Sequence, residues 1–192
     1  WGFADGEHRV PSPGELAKAR ECVGMDLVHL DAKNITVQFE RPGVRIDLGA
    51  IGKGFALDIA DEIVREADIT SALIHGGTST VCAIGSPPEK DFWKVAIEHP
   101  GCEQPDADIP EYKRLVAVAE LNDESLSVSA GWGKAFKENG VSYGHVLDPR
   151  SGQPTQNTLL AAVALPSGTA ADAWSTALLV SGVAGPVALG QV

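Results

Sequence analysis

The chain has 192 residues, of which 44% are apolar and 21% are charged, a composition typical of a folded globular protein and not of a disordered one. Its formal net charge of −11 argues against nucleic acid as a partner, because a nucleic-acid groove needs a basic face. No apolar run approaches the roughly 20 residues of a membrane span. The three cysteines have no C-x-x-C spacing and predict neither a zinc site nor a disulfide framework.

The first quarter of the chain predicts a helix, a hairpin and a strand. Ser12-Pro13-Gly14-Glu15 has the spacing of a capping box with proline at the first helical position, which predicts a helix from Pro13 to Val23. Residues 27–30 and 34–40 predict a hairpin, because the second segment alternates apolar and polar side chains after a turn. The same alternation predicts a strand over residues 44–48.

The rest of the chain predicts two helices and several short strands. Apolar residues at helical spacing predict one helix from Lys53 to about Glu66, and a helix start at Thr169 continues as a buried helix to Val180. We expect residues 125–129 to pair beside residues 115–119, and residues 99–110 to form a solvated acidic loop. The predicted strands cover residues 72–74, 81–84, 92–97, 115–119, 125–129, 144–149 and 159–165.

The segment around Lys53 has the pattern of an anion site. Glycines flank this lysine where a helix begins, so backbone N–H groups are left uncovered, and the lysine adds a point charge of the kind that phosphate sites use. The spacing is neither G-x-G-x-x-G nor a P-loop, and the alternative is a strand–turn–helix with a solvated lysine. The chain is so acidic that it would repel a phosphorylated ligand, and a bound divalent cation would offset that repulsion locally.

Asp172 and Thr176 stand four residues apart on the last predicted helix and therefore share one face. A carboxylate with a hydroxyl is a pair of hard oxygen ligands that suits Mg²⁺, which keeps several waters and accepts phosphate oxygens. The alternative is structural. Asp172 would then close a capping box from Thr169, and Thr176 would bond back to its own helix.

Several other polar or glycine positions leave their role open. His145, on an apolar strand, is either a hydrogen-bonded structural residue or a general base. His75 has the same ambiguity beside Gly76-Gly77, which forms either a turn or a close approach to a ligand. Asp58 is expected to serve only the surface of its helix.

Five blocks of sequence, taken in order, resemble the signature of the ApbE family, the FAD:protein FMN transferases. The first block corresponds to the family's D-L-G-x-I-A-K-G-Y-A-x-D, and the fourth and fifth to its H-I-x-D-P-x-T-G-x-P and A-D-A-x-S-T-A. Gly52 stands where alanine is common, and Ser151 where threonine is common. The blocks span residues 47–58, 72–77, 93–97, 145–154 and 171–177.

The resemblance implies a single α+β domain over residues 1–192, T-fold-like, with mixed sheets and packed helices. It also implies that the family's N-terminal third is missing, in keeping with a chain that begins at Trp1 without methionine or signal peptide. Family members are often exported, so a cell-envelope or periplasmic location is expected.

The resemblance further implies a magnesium site and an FAD site. Mg²⁺ would be held by the backbone carbonyl of Ala50 and the side chains of Asp172 and Thr176, with Ser175 close by. His145 would lie beside the flavin diphosphate and is the candidate proton acceptor. The implied FAD contacts are Asp47, Lys53, Gly76, Gly77, His145 and Thr176.

The implied activity is Mg²⁺-dependent transfer of FMN from FAD to a threonine or serine hydroxyl of an acceptor flavoprotein. A phosphoester bond forms and AMP is released. Two alternatives stay open at this point. One is a non-catalytic FAD-binding module, and the other is an FAD pyrophosphatase, in which water replaces the acceptor hydroxyl and the products are FMN and AMP.

Overall fold

A computed structural model describes residues 1–3, 6–99, 114–131, 135–156 and 158–182. These residues belong to two compact units, Trp1–Asp47 with Gly133–Thr155, and Leu48–Trp132 with Gln156–Val192. Residues 100–110 of the predicted acidic loop lie outside the described residues. Within the described ranges, no helix has both the length and the apolar character needed to cross a bilayer.

The described residues of the first unit form one α-helix, a short 3₁₀ helix (Met25–Leu27) and three antiparallel strand pairs, β1–β2, β8–β9 and β10–β11. Its α-helix is α1 (Pro13–Arg20). Its strands are β1 (Val28–Asp31), β2 (Thr36–Phe39), β8 (Ala135–Glu138), β9 (Val141–Gly144), β10 (Leu147–Asp148) and β11 (Gln153–Pro154).

The described residues of the second unit form two α-helices and six strands. The helices are α2 (Gly52–Glu66) and α3 (Gly168–Ser181). The strands are β3 (Ala72–His75), β4 (Thr80–Ile84), β5 (Trp93–Glu98), β6 (Leu115–Leu121), β7 (Glu124–Ala130) and β12 (Leu160–Leu165).

The predicted capping box starts α1. The Ser12 hydroxyl accepts the Glu15 N–H, and the Glu15 carboxylate accepts the Ser12 N–H at 2.8 Å. Hydrogen bonds from Arg9 and Ser12 lower the pKa of Glu15 to about 2. The helix ends at Arg20, three residues before the predicted end.

The hairpins of the first unit form where the sequence has residues that favour a turn. The predicted β1–β2 hairpin is confirmed, with Val28 opposite Phe39. The β8–β9 hairpin was not predicted, although Asn139-Gly140 is a strong signal for a two-residue turn with positive φ at both positions. Asn139 has φ 49° and Gly140 has φ 79°, as that turn requires.

Residues 44–48 do not form a strand, and this prediction was wrong. Val44 is buried, but Ile46 and Leu48 are exposed, and no described strand pairs with the segment. Alternation shows which side chains could share a face. It does not supply the neighbouring strand whose hydrogen bonds define a ladder.

The four-stranded sheet of the second unit has the order β12-β7-β4-β3, and β5 pairs with β6. Strand β7 therefore pairs with β12 and β4 rather than with β6, contrary to the prediction. Every strand pair among the described residues is antiparallel, where the resemblance implied mixed sheets. The α+β class itself is confirmed.

The two faces of the four-stranded sheet differ in chemistry, because alternate residues of a strand point to opposite faces. One face carries an apolar cluster that includes Ala83 and Leu126 and packs with Ile97 and Leu121 of the β5–β6 pair. The other face packs against α2 and α3. On β7 that face consists of Ser125, Ser127 and Ser129, so the buried layer beneath α3 is unusually polar.

Candidate functional site

Helix α2 begins without a capping side chain. The Gly52 N–H donates to the Leu48 carbonyl at 2.8 Å, which closes the turn that leads into the helix. The Gly54 N–H donates to Asp172 Oδ2 of α3 at 3.1 Å, and this bond is buried. One of the N–H groups predicted to be uncovered is therefore bound by a carboxylate from the other end of the sequence.

Glycine at position 54 lets α2 and α3 approach with their backbones in contact. A Cβ built on Gly54 would overlap the carbonyl group of Gly168, and a Cβ on Gly168 would lie 2.9 Å from the Gly54 carbonyl oxygen. Gly54 is thus needed for helix packing. By contrast, a Cβ on Gly52 would meet no atom within 4 Å.

Asp172 is 2% exposed and lies where the two helices meet β7. Its Oδ1 accepts a hydrogen bond from Ser127 Oγ at 3.1 Å, and Lys53 Nζ lies 3.6 Å from the same oxygen. The lysine side chain is 45% exposed, so the carboxylate is buried while the lysine that pairs with it is accessible to solvent. A buried carboxylate needs such partners, because burial of an unpaired charge is costly.

Asp172 does not cap its own helix, which overturns the capping-box alternative. The N-cap of α3 is Ser167, whose hydroxyl accepts the Ala170 N–H at 3.2 Å. Asp172 instead lies one turn further along, with its carboxylate turned toward α2 and β7.

Three hydroxyls continue the polar layer from Asp172 toward the surface. Ser175 Oγ lies 3.2 Å from Ser127 Oγ and 2.7 Å from Ser129 Oγ. Ser129 Oγ in turn lies 3.1 Å from Thr176 Oγ1. Ser127 and Ser175 are fully buried, whereas Ser129 and Thr176 are half-buried.

The oxygen donors implied for magnesium fit that cation chemically. In a regular helix the Gly54 N–H would donate to the Ala50 carbonyl, but here it donates to Asp172. Among the described residues no hydrogen bond reaches the Ala50 carbonyl, so that oxygen keeps its ligand capacity. Ala50, Asp172 and Thr176 offer a carbonyl, a carboxylate and a hydroxyl, which are hard oxygens of the kind that Mg²⁺ takes, and their binding of one cation stays a prediction.

No cluster of three or more His, Cys, Asp or Glu side chains that could hold a metal occurs among the described residues. A cation held by the Asp172 carboxylate, the Thr176 hydroxyl and the Ala50 carbonyl would have positions left for further ligands from a substrate.

The sequence profile of the ApbE family matches residues 1–190. The chain belongs to the ApbE family. It is 31% identical over 187 residues to the FAD:protein FMN transferase of Haemophilus influenzae, covering 95% of this chain and 52% of that protein. With the transferase of Rhodobacter capsulatus it shares 32% identity over 190 residues, covering 95% of this chain and 33% of that one.

Solved ApbE structures share the fold. The crystal structure of the ApbE protein of Thermotoga maritima matches with a TM-score of 0.82 and 31% identity, over 95% of this chain and 56% of that one. The apo flavinyl transferase ApbE of Pseudomonas stutzeri matches with a TM-score of 0.72 and 28% identity, over 90% and 50%. The chain thus spans about half the length of most of these relatives.

Within this ApbE chain, the second unit brings together Lys53, Asp172, Ser175 and Thr176. Gly76 and Gly77 belong to the same unit and form the β3–β4 turn, in which Gly77 has φ 76° and the Gly76 N–H donates to the Thr80 carbonyl at 2.8 Å. Their turn geometry is accounted for by the hairpin, and their contact with FAD stays a prediction.

Asp47 and His145 belong to the first unit. His145 is exposed, and its ring lies edge-on to Phe3 with 6.5 Å between centroids. Phe3 also packs on Phe136, which stacks on His8 at 5.2 Å. The roles of Asp47 and His145 toward FAD remain predictions.

Sequence reasoning missed three residues of the site. Asp58 is not a surface residue of α2, since its carboxylate accepts the N–H groups of Gly168 at 2.6 Å and Thr169 at 3.0 Å. Ser127 and Ser129 were predicted only as strand residues. The alternation of serine with apolar residues over 125–129 predicts a polar face on this strand, but it does not say what that face meets.

Proposed function

We propose that the protein containing this chain transfers FMN from FAD to a threonine or serine hydroxyl of an acceptor flavoprotein, with Mg²⁺ as cofactor. The observation that carries the proposal is one cluster in an ApbE-family chain. Lys53, at the start of α2, lies 3.6 Å from buried Asp172, which shares a polar layer with Thr176.

The diphosphate of FAD suits the start of α2. A helix N-terminus carries a partial positive charge and favours phosphate, and Lys53 adds a full charge on a half-exposed side chain. Both act locally, which allows an anionic substrate to bind to a chain of net charge −11.

The residues that would hold Mg²⁺ are Asp172, Thr176 and Ala50. When bound, the cation would supply Lewis-acid stabilisation of the charge that develops on the diphosphate. Gly54 and Ser127 hold the Asp172 carboxylate in place through hydrogen bonds of 3.1 Å each, so one ligand is oriented before any cation arrives.

The reaction is a substitution at phosphorus. The acceptor hydroxyl oxygen forms a bond to the phosphorus nearest riboflavin, the bond from that phosphorus to the bridging oxygen breaks, and AMP leaves with that oxygen. The hydroxyl proton must pass to a base, for which the exposed imidazole of His145 is the candidate. Lys53 helps to offset the negative charge of the diphosphate.

The test is a transfer assay with the protein at the full length that its gene encodes. It is incubated with FAD, Mg²⁺ and acceptor proteins that carry a candidate threonine. The masses of the acceptors are then measured by mass spectrometry, and AMP is measured by chromatography. Covalent FMN on an acceptor together with AMP is the expected result.

Two outcomes would contradict the transfer. FMN and AMP released at the same rate with and without acceptors would identify a pyrophosphatase. Saturable FAD binding with no AMP under any of these conditions would identify a binding module.

A further inference from the structure

The hydroxyls between Asp172 and Thr176 form one continuous chain across two elements. Strand β7 contributes Ser127 and Ser129, and α3 contributes Ser175 and Thr176. Neighbouring oxygens along the chain are 2.7 to 3.2 Å apart, within hydrogen-bonding distance. The chain starts at a buried carboxylate and ends at a half-buried hydroxyl.

The carboxylate fixes the direction of the first links. An ionised carboxylate only accepts, so Ser127 must donate its one proton to Asp172 Oδ1. The Ser127 oxygen is then an acceptor for Ser175, whose single proton has two acceptors on the Asp172 side, Ser127 Oγ at 3.2 Å and the Asp172 backbone carbonyl at 3.0 Å.

The remaining links have two possible directions, because either hydroxyl can donate between Ser129 and Ser175 and between Ser129 and Thr176. When Ser175 donates to one of its two acceptors on the Asp172 side, Ser129 donates to Ser175 across their 2.7 Å contact. Ser129 then has none left for Thr176, so Thr176 donates to Ser129 across 3.1 Å. The proton of Thr176 is thereby turned toward the sheet, and its lone pairs are turned away from Ser129.

We infer that Ser129 is a positioning residue for the cation site: it accepts the Thr176 proton and so presents the lone pairs of that hydroxyl to Mg²⁺. The inference rests on the proposed function, because it takes Thr176 as a magnesium ligand. A hydroxyl that ligates a cation without ionising must direct its proton elsewhere, and the serine chain provides that acceptor. Outer-shell partners of this kind change metal affinity by about 10- to 100-fold when removed.

The experiment measures cation affinity and not turnover. Mn²⁺, which takes the same oxygen ligands, is titrated into the full-length protein without FAD and followed by electron paramagnetic resonance. Ser129→Ala should raise the Kd for Mn²⁺ by about 10-fold or more. Ser129→Thr, which keeps a hydroxyl at the position, should restore the Kd to within about threefold of the wild-type value.

Ser125→Ala is the matched control. Ser125 is buried on the same face of β7, two residues before Ser127, and its hydroxyl takes no part in the chain. This variant should keep the wild-type Kd. In a Thr176→Val background the chain has no hydroxyl to position, so adding Ser129→Ala should leave the Kd unchanged.

The outcomes separate the two proposals. If Ser129→Ala binds Mn²⁺ as tightly as the wild type, the inference is wrong and the proposed function stands. The same holds if Ser129→Ala weakens Mn²⁺ binding by the full amount in the Thr176→Val background. If the wild type itself binds no Mn²⁺, the magnesium-dependent function fails, and the inference fails with it. Should Ser129→Ala not fold, Ser129→Cys offers a weak acceptor of similar size, and a wild-type Kd in that variant overturns the inference.

Discussion

Asp58 and Asp172 make reciprocal contacts between the same two helices, yet their surroundings differ. Asp58 extends from α2 to the start of α3, where it accepts the N–H groups of Gly168 and Thr169. Asp172 extends from α3 to the start of α2, where it accepts the Gly54 N–H. Each helix therefore supplies an acceptor to the N-terminus of the other, which is where a negative charge is favoured.

The remaining partners distinguish the two carboxylates. Asp58 also receives the hydroxyls of Ser167 and Thr169, so hydrogen bonds from one helix end surround it. Burial alone would raise the pKa of Asp58, but these hydrogen bonds outweigh burial and hold the pKa below its ordinary value. Asp172 instead faces an ammonium and a chain of hydroxyls that reaches Thr176. A contact with a helix end therefore does not by itself define the role of a carboxylate; its remaining partners do.

The largest effect is expected from Asp172→Asn. The amide oxygen can still accept the Gly54 N–H, but the negative charge that would hold a cation is gone. We expect kcat/KM for flavin transfer to fall by more than about 100-fold, because removal of a ligand should exceed the effect of removing an outer-shell partner. Denaturant unfolding should show a stable protein. If this variant keeps the wild-type kcat/KM for flavin transfer, Asp172 has only a structural role.

The contact between the helices can be broken at its backbone. Gly54→Ala places a Cβ against the Gly168 carbonyl, and overpacking of this kind costs about 1–3 kcal/mol or more. Gly52→Ala, two residues earlier in the same helix, meets no atom and should be neutral or stabilise by up to about 1 kcal/mol. Urea unfolding of the two variants measures the difference. Equal stabilities would show that the helices do not pack as described.

Asp58→Ala tests the structural half of the pair. Asp58 accepts the first N–H groups of α3 as an N-cap side chain would, so its removal should cost a similar amount, about 0.5–2 kcal/mol of unfolding free energy at neutral pH. Asp61→Ala is the control on the same helix, because Asp61 pairs with Arg65 four residues on, and such pairs contribute about 0.3–0.5 kcal/mol.

The stability lost in Asp58→Ala should depend on pH in a defined direction. The folded pKa of Asp58 lies below its ordinary value of 3.8, so the unfolded state binds the proton first as pH falls. The stabilisation is fully present above the unfolded pKa and is lost as pH falls through the folded pKa. The gap between wild type and Asp58→Ala should therefore close below about pH 3.8; a gap that widens on acidification would contradict the assignment.

Local sequence predicted most elements of the fold. Helical spacing located α2 within one residue of its start, and turn residues located the β1–β2 hairpin. The prediction failed where structure depends on a distant partner. Residues 44–48 alternate correctly but have no described strand beside them, and β7 pairs with β4 and β12 instead of its sequence neighbour β6.

The candidate site shows the same limit. The spacing Thr169-x-x-Asp172 is equally the mark of a capping box, and only the structure assigns the cap to Ser167. Ser127 meets Asp172 across 45 positions of sequence, and Asp58 meets Gly168 across 110. No local pattern encodes such contacts. The family resemblance reached Asp172, Ser175 and Thr176, but it did not reach Ser127 and Ser129, the strand serines that complete the chain.

Lys53→Met is expected to have the smallest effect on stability. The Lys53 side chain is 45% exposed, so solvent screens its 3.6 Å contact with Asp172 Oδ1, and Asp172 keeps its hydrogen bonds from Gly54 and Ser127 when the ammonium is removed. The loss should therefore be no more than about 1 kcal/mol. Lys94→Met is the control, because Lys94 is also exposed and also pairs with a carboxylate, Glu120 at 3.4 Å. Both variants should unfold at nearly the same urea concentration as the wild type. Only Lys53→Met should weaken FAD binding in a fluorescence titration, and the weakening should shrink as salt screens the charge. If the two variants bind FAD equally well, the ammonium at the start of α2 serves Asp172 alone, and the diphosphate binds elsewhere.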